Sequence, residues 1–161
     1  MSFSEIVDLI RSKFGAESVI EVNESSTPSS IEVSSSEIVA VLTELYEHKD
    51  TYFDMLSCIT GMDNGVESNT MEVFYNLYSI PYNFQLMVKV KLDREKPIVK
   101  SVSNIWQTAN WHEREAFDLL GIHFEGHPDL RRILLPADWE GHPLRKDYTH
   151  QEYYHGIKVE Y

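Results

Sequence analysis

The chain has 161 residues, one cysteine and a net charge of −12 at pH 7. This length is typical of one globular domain. No apolar run approaches the roughly 20 residues that span a bilayer, which excludes an integral membrane protein. The first 70 residues hold 3 Lys and Arg against 13 Asp and Glu. Because contact with phosphates requires a cationic patch, this acidic half argues against nucleic acid or an anionic lipid surface as the partner.

The cysteine content and the N-terminus narrow the class of protein further. The single Cys58 excludes an internal disulfide and cannot supply the thiolates of an iron–sulfur cluster or a structural zinc site. The chain has neither a glycine-rich dinucleotide motif nor a phosphate-binding loop. The N-terminus, MSFSEIVDLI, lacks the features of a signal or transit peptide, so we expect a bacterial chain that stays in the cytoplasm.

Helix and strand patterns alternate through the first 50 residues. Ser2 and Glu5 have the spacing of a capping box, and apolar residues follow at helical intervals. Ser34 lies three positions before Glu37 and is a candidate N-cap for a second helix. From these patterns we predict a helix over residues 3–14, a second helix that follows the Ser34 cap and ends at about His48, and short strands over residues 18–23 and 31–33.

The middle of the chain has the alternating pattern of strands. We predict strands over residues 52–61, 71–79, 84–92 and 98–102. The second and third of these runs flank a turn at residues 81–83, which indicates an antiparallel pair. The order of elements predicts an α+β fold, with helices packed on one mainly antiparallel sheet.

The character of the sequence changes after residue 103. A helical segment ends at Gly121, and the residues beyond it hold three of the six prolines with little periodicity. We therefore predict an α+β domain over residues 1–121 and an extended, irregular C-terminal arm over residues 122–161. A long irregular segment is unusual in a compact protein unless it has a binding role, so we expect the arm to dock on a partner.

The last helix contains the run Trp-His-Glu-Arg-Glu, which resembles a zinc-protease helix but lacks the second histidine, because position 116 is alanine. A structural explanation is stronger. Asn110 is a candidate N-cap, and Glu113 can complete a capping box with it. Arg114 and Asp118 are one turn apart and can pair. We predict that these roles, together with the preference of acids for the positive helix end, account for Glu113, Arg114, Glu115 and Asp118.

The tetrapeptide EGHP occurs twice, at residues 125–128 and 140–143. Metal binding by nearby histidines is one hypothesis, and it would make the chain a free-standing metalloenzyme. The candidate ligands are His112, His123, His127 and His142. Gly-His-Pro is also typical of a turn, since glycine tolerates positive φ and proline fixes the next φ. Under this second interpretation each repeat is a bend in the arm.

Cations and apolar residues are interleaved along the arm. Arginine beside aliphatic and aromatic residues is typical of a buried protein interface. We predict that the arm contacts a partner through His127, Pro128, Leu130, Arg131, Arg132, Trp139, His142, Pro143, Arg145, Lys146, Asp147 and Tyr148. Folding of the arm back onto its own domain remains an alternative.

Three runs carry a resemblance to a known family: NWHEREAFDLLGIHF at residues 110–124, GHPDLRRILLP at residues 126–136 and DWEGHPLRKDY at residues 138–148. They resemble the C-type subunit of NADH-quinone oxidoreductase, which is the 30-kilodalton-type subunit of respiratory complex I. The family commonly has proline after the last run, whereas Thr149 follows here. Subunits of membrane-bound hydrogenases and ferredoxin-fed complexes are related, so the electron donor stays open.

The resemblance implies a scaffold subunit of the peripheral arm, without a cofactor or catalytic site of its own. NADH, iron–sulfur clusters and quinone would be bound by other subunits of the proton-translocating complex. The partners would be the large quinone-site subunit, which is the D-type subunit, and neighbouring iron–sulfur subunits. The chain would lie on the cytoplasmic side of the bacterial inner membrane, attached only through the complex, and would be soluble when isolated.

Overall fold

The computed structural model describes residues 1–159. Its helices are α1 (Phe3–Phe14), α2 (Ile38–Glu47) and α3 (Ala109–Leu120), with a short 3-10 turn at Ala16–Ser18. Its main strands are β1 (Val19–Asn23), β2 (Ser30–Val33), β3 (Met55–Asp63), β4 (Thr70–Ser79) and β5 (Phe84–Asp93). Shorter strands follow at β6 (Ile98–Lys100), β7 (His123–Glu125), β8 (Tyr153–Tyr154) and β9 (Ile157–Lys158).

The main sheet has the strand order β1-β2-β5-β4-β3. Its neighbours are antiparallel except β2 and β5, which are parallel. The predicted α+β class, with helices on one mainly antiparallel sheet and an irregular C-terminal arm, is confirmed. No helix among residues 1–159 combines the length and the apolar character that a membrane crossing requires.

The core lies between one face of this sheet and the helices. Buried residues alternate along the two long central strands and face one another in register, as in the pairs Val73–Val90 and Tyr75–Val88. The capping box predicted at the start of α1 is confirmed, since Ser2 Oγ accepts from the Glu5 amide and Glu5 accepts from the Ser2 amide. Burial of each large apolar side chain contributes roughly 1.5–3 kcal/mol.

Two predicted helix starts are wrong. Helix α2 begins at Ile38 without a side-chain cap, and the hydroxyl of Ser34 bonds to Ser36 instead. Helix α3 begins at Ala109, so Asn110 is inside the helix and does not cap it. The first residue of each helix, Ile38 or Ala109, is fully buried. Burial of apolar residues stabilises most helices in proteins more than a cap, which contributes only about 1 kcal/mol.

The predicted strand over residues 98–102 is shorter and pairs elsewhere than in the main sheet. Strand β6 is parallel to β7, which lies within the segment predicted as an arm. Ile122 and Phe124 are fully buried in the core. The folded block therefore includes residues 122–125, and the irregular part begins at Gly126, whose φ is +83°.

Gly61 lets α3 approach the edge strand β3. A Cβ at this position would lie 2.5 Å from Leu120 Cδ1 and 2.9 Å from Ile122 Cδ1, both on buried side chains.

We expect Gly61→Val to lower the free energy of unfolding by about 1–3 kcal/mol, because it overpacks this contact. Urea denaturation measures the change. The matched control, Thr60→Val, alters an exposed neighbour on the same strand and should change stability by less than about 0.5 kcal/mol; equal effects would contradict the packing argument.

Candidate functional site

Glu113 is a fully buried carboxylate on α3. Its Oε1 accepts a hydrogen bond from the Val102 amide at 2.7 Å, and its Oε2 accepts one from Ser101 Oγ at 2.6 Å. The predicted capping box with Asn110 is therefore wrong, and Glu113 instead joins α3 to the segment that follows β6. Burial raises the pKa of Glu113 to about 7, against the opposite effect of these two hydrogen bonds.

His127 lies beside this carboxylate at the beginning of the arm. Its Nε2 is 3.9 Å from Glu113 Oε2 and donates to the Asn110 carbonyl at 3.1 Å, while its Nδ1 accepts from the Asp129 amide at 3.0 Å. Neither the His127 nor the Glu113 side chain is exposed. The imidazole thus attaches the first bend of the arm to the N-terminal half of α3.

Asp118 is the second buried carboxylate of α3 and binds the next part of the arm. Its Oδ2 accepts from the three amides of residues 133–135 at 2.8–3.0 Å, and its Oδ1 accepts from Arg132 Nη1 at 2.7 Å. Burial acts to raise the pKa of Asp118, but these hydrogen bonds together outweigh it and hold the pKa below its usual range. The predicted pair with Arg114 does not form.

Arg114 and Arg132 complete the contact between α3 and the arm. Arg114 donates to the carbonyls of Arg131 and Arg132, each at 3.2 Å. Arg132 also donates to the carbonyls of Trp139 at 2.9 Å and Gly141 at 2.8 Å. The Arg132 guanidinium is therefore used within the chain, both for attachment to Asp118 and for the shape of the arm.

The second EGHP repeat covers the C-terminus of α3. His142 Nδ1 donates to the Asp118 carbonyl at 2.9 Å, and Arg145 Nε donates to the Leu120 carbonyl at 2.7 Å. The carbonyls of a last helical turn have no partner inside the helix, and a cation there also favours the helix dipole. Gly121, with φ +76°, leaves room for both side chains, since a Cβ would lie 2.7–2.8 Å from them.

The far end of the arm reaches a pair of charges that the sequence did not single out. Arg94 binds both oxygens of Asp63 at 2.7 and 2.9 Å, and it also binds Asp147. The Lys146 amide donates to Asp63 at 2.9 Å. Arg94 holds the pKa of Asp63 well below its usual range, although burial acts to raise it. Trp139 Nε1 donates to the hydroxyl of Tyr148 at 3.0 Å, which closes the bend between them.

The residues predicted to contact a partner thus divide into two groups. His127, Arg132, Trp139, His142, Arg145, Asp147 and Tyr148 have side chains bonded within the chain, and Leu130 packs against the core. Pro143 is half-buried, and Pro128, Arg131 and Lys146 are exposed, although Arg131 pairs with Asp129 at 2.9 Å. Glu115, which was predicted as a helix residue and not as an interface residue, is also exposed.

Several apolar side chains of α3 and the arm outside the predicted set are also exposed, among them Leu134, Leu144 and Trp111. Leu134 is 62%, Leu144 59% and Trp111 62% exposed. The sequence signal for Leu134 and Leu144 is the interleaving of apolar residues with the cations of the arm. These side chains leave the arm and α3 with an apolar surface that the chain itself does not cover.

The histidines considered as metal ligands are dispersed. His127 and His142 each have a backbone partner on α3, while His112 is half-buried on that helix and His123 is exposed in β7. Within residues 1–159, no three His, Cys, Asp or Glu side chains lie together as metal ligands would. The bonds of His127 and His142 to backbone carbonyls agree with the interpretation of each EGHP repeat as a turn.

A similar architecture occurs in respiratory assemblies. A chain of the membrane-bound sulfane sulfur reductase, described as an archaeal respiratory membrane complex, has a TM-score of 0.74 and 26% identity to this chain. The match covers 91% of this chain and 85% of that one. The two chains thus share the same α+β fold over most of their length.

The match to a sequence family is more specific than this structural likeness. The model of the family "Respiratory-chain NADH dehydrogenase, 30 Kd subunit" matches residues 31–154, and the chain belongs to that family. The resemblance found in the sequence is thereby confirmed.

Curated relatives agree with this family. An NADH-quinone oxidoreductase C-type subunit from Chlorobium phaeobacteroides is 43% identical over 96% of this chain and 93% of its own length. Another from Chloroherpeton thalassium is 50% identical over 76% of this chain, and the match spans half the length of that relative. A protein from Acinetobacter baylyi, named as a combined C/D subunit of NADH-quinone oxidoreductase, is 40% identical over 89% of this chain and 25% of its own length.

The raised pKa of Glu113 makes the free energy of unfolding depend on pH. The folded carboxyl keeps its proton up to about pH 7, whereas an ordinary glutamate loses it near 4.5, so folding takes up a proton between these values. This contribution to stability is therefore lost as the pH rises through that window. We expect Glu113→Gln, which is neutral throughout, to gain roughly 1–3 kcal/mol relative to the parent chain between pH 5 and 8. Urea denaturation across this range measures the difference, and a constant difference would contradict the shifted carboxyl.

Asp118 should control release of the arm. We expect Asp118→Asn to increase the rate of tryptic cleavage at the arm arginines at least about tenfold, because removal of one charge from a buried pair leaves Arg132 uncompensated. Mass spectrometry of timed digests at pH 7.5 measures the rate. The matched control is Asp129→Asn, which alters the exposed pair with Arg131 and should leave the rate nearly unchanged. Equal rates for both variants would show that Asp118 does not hold the arm.

Proposed function

We propose that this chain is a scaffold subunit of an NADH-quinone oxidoreductase and that its arm docks on the large quinone-site subunit, the D-type subunit of the complex. One observation carries the proposal: buried polar contacts fix the arm on α3 while Leu134 and Leu144 remain 62% and 59% exposed. A fixed segment with exposed apolar side chains is suited to association, because the segment loses little conformational entropy when it binds a partner.

The identity of the partner rests on a relative. The Acinetobacter baylyi protein, by its name, joins the C-type and D-type subunits in one chain. A fusion of this kind is compatible with two subunits that lie in contact when they are separate chains. We propose that neighbouring iron–sulfur subunits are further partners of this chain.

The proposed role is positional. NADH, the iron–sulfur clusters and quinone would be bound by other subunits, which would carry electrons from NADH to quinone and translocate protons. The single Cys58 supports this division, because a cluster requires several cysteine thiolates. The chain would associate with the membrane through its partners alone, on the cytoplasmic face.

A second candidate is the equivalent subunit of a different respiratory complex. The 26% identity and TM-score of 0.74 to the chain of the sulfane sulfur reductase favour this alternative. Purification of the tagged chain from its native cells, followed by mass spectrometry of the proteins that accompany it, separates the two candidates. NADH-binding subunits among them support the first, and hydrogenase-type or sulfur-reductase-type subunits support the second.

If Leu134 and Leu144 form the docking surface, charges at these two positions should weaken binding to the large subunit without unfolding the chain. We expect the double variant Leu134→Glu and Leu144→Glu to weaken co-purification with the large subunit at least about tenfold, because it introduces charges into an apolar contact. The thermal midpoint of the isolated chain should stay unchanged, since both side chains are exposed.

The matched control changes two exposed apolar residues at the opposite edge of the sheet. Ile20 and Val22 are 60% and 40% exposed on β1, and their replacement by Glu should leave co-purification unchanged. Parental co-purification of the Leu134 and Leu144 variant would remove these residues from the interface.

A further inference from the structure

Strand β3 is the longer edge of the main sheet, and its register shift lies near its start, between Leu56 and Cys58. It has nine residues, and within residues 1–159 it pairs with β4 alone. Its sequence, MLSCITGMD, contains no proline and no charge before Asp63. Edge strands of soluble proteins usually carry charges or proline, or are very short, because a free edge invites pairing with another chain.

The opposite edge shows the contrast. Strand β1 has five residues and a register shift between Val19 and Glu21. Glu21 also forms an ion pair with Lys89 of the sheet, at 3.1 Å. Both edges have a register shift, but β1 is short and charged, whereas β3 continues past its shift as a regular, uncharged stretch from Cys58 to Met62. A short and charged edge does not favour pairing with another chain, whereas a long and uncharged one does.

A groove of about 260 Å³ lies between β3 and α3. Residues 58–61, four consecutive positions of the strand, line one side of it. Ala116 and Leu119 of α3 line the other side, and Leu144 of the arm lies against it as well. Because side chains of a strand alternate between its faces, four consecutive residues line a groove only along the edge of the strand. The face of α3 opposite this edge is apolar at Ala116, Leu119 and Leu120 and polar at His112 and Glu115.

This geometry suits the addition of a strand. An extended segment in the groove would form main-chain hydrogen bonds with the unpaired N–H and C=O groups of β3. Every second side chain of that segment would face α3, because side chains of a strand alternate between its two faces. The apolar face of α3 would then select apolar residues at those positions.

We infer that β3 accepts a sixth strand from the large partner subunit, in the form of an extended segment with apolar residues at alternate positions. The inference rests on the proposed function. Leu144 belongs both to the groove and to the proposed docking surface, so the two surfaces are continuous. A segment lying on the arm would thus reach β3 without leaving the protein surface.

Charge favours this partner over a second copy of the chain. Glu115 lies in the groove and is exposed, and the whole chain has a net charge of −12. Pairing of two β3 edges would bring two copies of this acidic chain together, and like charges repel. A Lys or Arg of the partner segment would complement Glu115.

Hydrogen–deuterium exchange tests the inference in the purified complex against the isolated full chain. We expect the outward amides among residues 58–61 to exchange at least about tenfold more slowly in the complex, while residues 20–22 of the β1 edge exchange equally in both states. A complex that forms without slower exchange at residues 58–61 would overturn the inference and leave the proposed function intact. Failure to recover any complex with the large subunit would remove both. Slower exchange that appears in the isolated chain as its concentration rises would identify a second copy and overturn the inference.

A charge on the edge provides a second test. We expect Thr60→Lys to lower the recovery of the large subunit at least about tenfold and to abolish the slower exchange at residues 58–61, because lysine on an edge strand opposes pairing. Gln85→Lys is the matched control, since it adds the same charge to an exposed residue of the interior strand β5. Circular dichroism checks that both variants fold. Parental recovery and slow exchange with Thr60→Lys would overturn the inference.

Discussion

The contact between Asp118 and residues 132–135 determines the course of the C-terminal arm. An irregular segment has no ladder or helix to satisfy its amides, and a buried N–H without a partner costs about 1–3 kcal/mol. Asp118 accepts three consecutive amides and one guanidinium from a single buried position on a regular helix. The same Arg132 guanidinium also donates to the carbonyls of Trp139 and Gly141, so this contact is connected to the next bend of the arm.

The two buried carboxylates of α3 differ in charge because their donors differ. Glu113 receives one amide and one hydroxyl, and burial raises the pKa of Glu113 to about 7. Asp118 receives three amides and a cation, so its pKa falls below the usual range although burial opposes this. The attachment at Asp118 therefore persists across neutral pH, whereas the start of the arm at His127 lies beside a group that titrates there. Both carboxylates belong to one helix, and only the chain packed against each distinguishes them.

Local signals in the sequence were sufficient for much of the fold. The Ser2 and Glu5 capping box, the long alternating strands and the family resemblance all depend on neighbouring residues or on a known pattern. The partners of the site residues are instead far apart in the chain: 14 to 17 positions between Asp118 and residues 132–135, and 31 between Asp63 and Arg94. Helical spacing suggested Arg114 for Asp118, but the buried geometry favours Arg132. Local spacing could not decide this, because any of several arginines could meet the same carboxylate once the chain folds.

Folding back and docking were alternatives in the sequence, but the geometry makes them compatible. The arm directs its charged and polar groups toward α3, where they are satisfied, and leaves Leu134 and Leu144 on the outside. A partner that covers these residues gains apolar burial without breaking the internal hydrogen bonds. The arm loses its conformational entropy when the chain folds. Association with a partner therefore costs less entropy than it would for a flexible tail. The uncharged edge of β3 lies beside Leu144, and the same rigid surface can therefore offer a partner both apolar contact and unpaired backbone groups.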